Sequence, residues 1–158
     1  LMSSGCRIRH KETSVSRADT VHLFRMSLRS AQAGLDRRLE QKRFTEAQRH
    51  NLLCVVASPD GRKGSLRIHQ DALVCSAILD SGHHFVHELT PGRTVWIHIV
   101  SGEATFNDIV LTKGDGIGMM NERSVSLTVQ EDTEILLVEM GPMNLPPWEN
   151  QSFENDGA

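Results

Sequence analysis

A chain of 158 residues, 39% of them hydrophobic, carries enough apolar material for one domain with a substantial core. The formal charge of −3 is small, and the basic residues are scattered apart from Arg37 and Arg38, which argues against a nucleic-acid partner. No apolar run reaches the length of a membrane span, and the N-terminal residues are basic without a following apolar segment, so neither a spanning helix nor a signal peptide is expected.

Residues 1–30 open on Ser-Ser-Gly, a turn signal. Residues 21–28, Val-His-Leu-Phe-Arg-Met-Ser-Leu, alternate. Phe24, Met26 and Leu28 share one apolar side, which predicts a strand. Two short strands do not make a sheet that stands alone, so this segment is expected to join the main domain or another chain. Residues 31–50 are polar and charged and read as a linker. Within it, Thr45 to Arg49 can form one helical turn with Thr45 as its cap.

From residue 51 onward the chain becomes a series of short strands. Leu52 to Ala57 is an apolar strand, and Ser-Pro-Asp-Gly-Arg-Lys-Gly (58–64) is a turn set by its Pro and Asp-Gly. A strand over 65–72 follows. Ala72–Leu79, Phe85–Leu89, Thr94–Val100, Ala104–Leu111, Ser124–Val129 and Glu134–Met140 are rich in Val, Ile, Leu and Thr, as a half-buried pleated surface requires. The breaks between them fall about every 8–12 residues, the rhythm of an all-β sandwich or barrel. Val125, Leu127 and Val129 must share one face. The sequence thus predicts an antiparallel β domain over 51–141, with Trp96, Ile97, Ile99, Val110, Leu127, Ile135 and Leu137 in its interior or on its sheet faces. The tail, 142–158, is proline-containing and ends polar, and its last residues are expected to be disordered.

Several residues could carry chemistry. His10 and Glu12, two apart on a strand, point to one face and can reach one metal ion together. They are equally a solvated polar pair beside a turn. His83, His84, His87 and Glu88 form the densest group of ligand types. In a strand His83 and His87 share one face, and His84 and Glu88 the other, so no three converge without a bulge. The plain alternative is a polar strand start. His98 points away from Ile97 and Ile99. Ser14, Ser16, Asp19 and His22 lack the context of a nucleophile elbow. Cys6, Cys54 and Cys75 are odd in number and at no metal-ligand spacing, so they read as buried thiols in a reducing cytoplasm.

Taken together, His-Lys-Glu (10–12), residues 21–28, Glu-Gln-Lys-Arg-Phe (40–44), Ser58 to Asp71 and Arg93 to Gly102 resemble the pirin-like proteins. The resemblance runs from residue 1 to about residue 141. It implies a cupin-type jelly-roll barrel over 51–141, preceded in 1–30 by the last strands of an N-terminal cupin. The family's metal, usually iron, sits in that N-terminal barrel, on a His-x-His motif and a His-x-Glu motif. His10 and Glu12 match the second motif, and the first falls ahead of Leu1. In the second barrel the ligand positions fall near Glu88, Thr90 and Thr94, and within residues 121–126 there is no His. The resemblance therefore implies a half-site at His10 and Glu12, with no cofactor expected in this chain unless other protein ligands complete the site with iron or another divalent transition metal.

Two functions stand open. One is a non-catalytic binding or interaction module. The other is a metal-dependent dioxygenase of quercetin 2,3-dioxygenase type, if further chain or a second subunit completes the site. A homodimer through the N-terminal strands is expected, because an uncovered strand edge invites pairing with another copy.

Overall fold

The strand Thr94–Ser101 shows why this sequence closes into a sandwich. Val95, Ile97 and Ile99 are fully buried, while Trp96, His98 and Val100 between them face the other way. The same two-residue alternation buries Val125, Leu127 and Val129, as the sequence predicts, and also Ile135 and Leu137. Each of these side chains contributes about 1.5–3 kcal/mol of burial.

The structure, a computed structural model, describes residues 1–3, 18, 23–28 and 38–142. Along the described chain lie β1 (Met2–Ser3), β2 (Arg38–Leu39), a helical turn α1 (Glu46–Arg49), β3 (Cys54–Ser58), a short 3₁₀ turn (Arg62–Gly64), β4 (Leu66–Arg67) and β5 (Ala72–Leu79). Then follow β6 (His84–Glu88), β7 (Thr94–Ser101), β8 (Glu103–Phe106), β9 (Ile109–Thr112), β10 (Gly116–Met120), β11 (Ser124–Val129) and β12 (Thr133–Met140).

One sheet has the order β10-β7-β12-β5-β3-β4 and the other β6-β11-β8-β9, while β1 pairs only with β2. The ladders are antiparallel except between β3 and β4. The main core lies between the two larger sheets and draws on Cys75, Leu79, Phe85, Ile97, Leu127 and Leu137 among others. A smaller cluster of Ala57, Ile68, Ala72, Val74 and Val138 covers part of the outer face of the six-stranded sheet. Strand β5 is thus packed on both faces, as befits an interior strand.

Of the residues expected in the interior or on the sheet faces, Trp96 and Val110 take outer faces. Trp96 is 44% exposed and Val110 is 55% exposed, because both fall on outward positions of their strands. Trp96 lies across Gly116 and Gly118 of β10, where a Cβ on Gly116 would come within 2.2 Å of the indole. The expected strand over 21–28 is described only for 23–28, which joins no β-ladder. Instead Phe24 sets its ring edge-on to His98, with centroids 5.0 Å apart, and Leu28 packs against the outer cluster. The expected strand over 65–72 shrinks to the two residues of β4. The predicted turn at Thr45 is present. Gln48 Oε1 accepts from the Thr45 backbone N–H at 2.9 Å and stands 3.1 Å from the Thr45 hydroxyl.

Candidate functional site

The site begins with strand parity in β6. Phe85 and His87 turn toward the interior, and His84, Val86 and Glu88 turn outward. His84 is spent on the outer surface, with Nδ1 3.2 Å from Thr128 Oγ1 and Nε2 3.3 Å from Ser126 Oγ. Glu88 is exposed, and His83 precedes the strand. The four predicted candidates therefore do not converge, and His87 alone reaches the interior. His10 and Glu12 lie outside the described residues.

His87 meets a residue that the sequence reading passed over. Its Nε2 lies 3.2 Å from Oε2 of Glu139, a carboxylate whose side chain is only 4% exposed. Glu139 follows Ile135 and Leu137 on the inward side of β12, so strand alternation already marked it as an acid aimed into the core. Its other oxygen, Oε1, lies 2.7 Å from Arg93 Nε. This contact sets charge against charge without an aligned N–H···O bond. Arg93, just ahead of β7, is 14% exposed in its side chain. Its Nη1 donates to Asp71 Oδ1 at 2.8 Å.

The result is a chain of alternating groups, His87–Glu139–Arg93–Asp71, running from the interior to one mouth of the barrel. There Arg93, Asp71 and Glu139, with Arg62, Thr90, Pro59 and Leu73, line a pocket of about 130 Å³. At its rim, Arg62 donates through Nε to both oxygens of Asp60, at 3.0 Å each, and this holds the Asp60 carboxyl down to about 2. Deeper in the barrel, burial first and the charge of Glu139 second push the Cys75 thiol up to about 12. A second, more open depression of about 300 Å³ lies on the outer sheet face, with Phe24, Phe44, Arg49, Val100, Glu134 and Leu136 among its walls.

A metal of the kind held by cupins needs several converging His or carboxylate donors. Among the described residues no group of three or more His, Cys, Asp or Glu could hold one. Of the positions expected to correspond to ligands, Glu88 and Thr94 are not inward, and Thr90 lies at the mouth pocket. The inward neighbours are Leu89 and Val95, which with Val125 of β11 belong to the buried apolar core. The one buried carboxylate among the described residues, Glu139, already has a guanidinium at its Oε1, which would repel a divalent cation. The described residues do not fit a metal.

Two stacked antiparallel sheets around one apolar interior, with a polar cluster at one mouth, define a cupin-type barrel. The pattern of the quercetinase C-terminal cupin domain matches residues 55–140. Over 143 residues the chain is 34% identical to a quercetin 2,3-dioxygenase of Escherichia coli, covering 90% of this chain and 61% of that protein. It is 27% identical to a pirin-like protein of Caulobacter vibrioides over 140 residues, 88% of this chain and 60% of that one. The crystal structure of YhhW from Escherichia coli superposes with a TM-score of 0.67 at 32% identity, covering 74% of this chain and 49% of that chain. A second structure, of the bacterial pirin YhhW in complex with nickel(II), also matches with a TM-score of 0.67.

The chain belongs to the pirin-like, quercetinase-type cupin family. It spans about 61% of the length of the first curated relative. Among the described residues, no helix is long and apolar enough to cross a membrane.

Proposed function

We propose that the barrel over residues 51–141 is a non-catalytic binding module of a pirin-like protein. The observation that carries this reading is the pairing of Glu139 with Arg93 and His87. The barrel's one buried acid is neutralised by protein groups, and the inward positions around it are apolar. Such an interior can bind and orient, but it offers no open coordination position for oxygen chemistry.

The second reading, a quercetin 2,3-dioxygenase, is favoured by the identity with the Escherichia coli enzyme of that name. It would place the chemistry with His10 and Glu12, completed by ligands from further chain or from a second subunit. Oxygen uptake with quercetin as substrate, measured after loading the chain with iron or nickel, separates the two readings. The module reading expects no turnover above that of free metal. Turnover abolished by His10→Ala would establish the enzyme.

We also propose a homodimer through the N-terminal segment. Leu23, Phe24 and Met26 are exposed, as are Trp96 and Met120 on the outer face of the six-stranded sheet, where Phe24 meets His98. Apolar surface of this kind favours a self-complementary two-fold contact.

A further inference from the structure

The mouth pocket has an imbalance of hydrogen-bonding groups. Arg93 is anchored from below by Glu139, and its outer edge is turned to the pocket. There Nη1 donates to Asp71 Oδ1 at 2.8 Å, while Nη2 has only a 3.5 Å contact with the Asp71 carbonyl. Arg62 uses Nε and its backbone N–H, and its terminal nitrogens make no hydrogen bond among the described residues. The Thr90 hydroxyl also lines the pocket with no hydrogen-bond partner among the described residues. On the acceptor side, each Glu139 oxygen already faces a cation or a ring nitrogen. Asp71 Oδ2 is the one carboxylate oxygen of the lining with no such partner among the described residues, against the terminal nitrogens of Arg62, Arg93 Nη2 and the Thr90 hydroxyl, so donors outnumber free carboxylate oxygens.

Asp71 indicates which kind of acceptor these donors suit. It belongs to the pocket wall, yet its side chain is 64% exposed, against 14% for the arginine it meets. An exposed carboxylate held at one point is easily swung aside. A planar guanidinium edge receives a carboxylate through two parallel N–H···O bonds. Pro59 and Leu73 supply an apolar wall beside it. A volume of about 130 Å³ is comparable to a cavity of about 150 Å³ that holds one benzene ring.

We propose that this mouth is a binding site for a small organic carboxylate, and that Asp71 occupies the place of the ligand's carboxylate on Arg93. The carboxylate takes the outer edge of Arg93, with Arg62 and Thr90 as further donors. Its short apolar body lies against Pro59 and Leu73. Asp71 is the internal competitor that sets the affinity. This inference rests on the reading of the barrel as a binding module.

Titration calorimetry of the full chain with benzoate tests it, with inorganic phosphate as the control anion. The wild type should bind benzoate saturably and weakly. Asp71→Ala, which removes the competitor, should tighten binding about tenfold, the change expected from one charge-assisted hydrogen bond no longer contested. Arg62→Gln, at an exposed and replaceable position, should weaken it several-fold. Phosphate should bind less tightly than benzoate to every variant. Absence of saturable benzoate binding to both wild type and Asp71→Ala would overturn the proposal, as would an Asp71→Ala variant no tighter than wild type, or phosphate binding as tightly as benzoate. The metal content of the same samples keeps the two readings apart. A metal held by His87 and Glu139 would remove the module reading, whereas a metal-free chain that ignores benzoate would remove only the carboxylate.

Discussion

Arg93 Nε lies 2.7 Å from Glu139 Oε1, and both side chains are largely shut off from water. This pair, with His87 on the far oxygen, turns the only strongly polar part of the barrel interior into a closed set of charges. Pairs of this kind add little net stability when both members are present, but an abandoned partner is costly.

Glu139→Ala is expected to destabilise the fold by about 1–3 kcal/mol, because it leaves Arg93 Nε and His87 Nε2 without their carboxylate while Arg93 keeps Asp71. The double variant Arg93→Leu with Glu139→Leu should recover most of that loss. Urea unfolding of the single and double variants measures both. A single variant within error of wild type would show that Arg93 simply turns to solvent.

Gly102 joins β7 to β8 with φ of +84°, and a Cβ there would come within 2.3 Å of Thr133 Oγ1 and 2.5 Å of the Asp132 carbonyl. Thr133 is fully buried, and its hydroxyl oxygen accepts the Glu103 N–H at 3.0 Å. Gly102→Ala should thus cost about 1–3 kcal/mol through backbone strain and the displaced hydroxyl. A thermal unfolding midpoint unchanged from wild type would contradict this turn geometry.

Cys75 is the thiol to watch as pH rises. Burial and the Glu139 charge raise its titration point from 9.0 to about 12 in the folded chain. A group whose folded value is raised keeps its full contribution below the unfolded value and loses it as pH climbs through the folded one, so this stabilisation fades between about pH 9 and pH 12. At neutral pH, iodoacetamide should label Cys54, which is partly exposed, and spare Cys75 until the chain is unfolded. Peptide mapping by mass spectrometry reads the pattern, and equal labelling of both cysteines in the folded protein would contradict the buried position.

The fold was largely legible in the sequence, because period-two alternation and turn residues are local signals. Ile97, Ile99, Leu127, Ile135 and Leu137 emerged from that alternation and are all fully buried. Trp96 and Val110 lie on outward sheet faces, and the alternation alone did not say which of the two faces would be theirs. The candidate site was less legible. His87 was noticed for its chemistry, but Glu139 lies 52 residues beyond it in sequence, and the antiparallel pairing of β12 with β7 brings Glu139 to Arg93 while the stacking of the two sheets brings it to His87. The inward acid at the end of β12 was the available clue.

The proposed homodimer makes its own prediction. Light scattering at high micromolar concentration should give twice the chain mass, and removal of residues 1–30 should return the monomer. A monomeric intact chain, or a dimer indifferent to the deletion, would rule out assembly through the N-terminal segment.

The most direct test of the closed barrel is the metal content of the purified chain after incubation with iron, nickel or zinc and desalting, read by inductively coupled plasma mass spectrometry. The ion-paired interior predicts far less than one equivalent in the wild type, and no change on His87→Ala. Close to one equivalent per chain, lost on His87→Ala or Glu139→Gln, would contradict it.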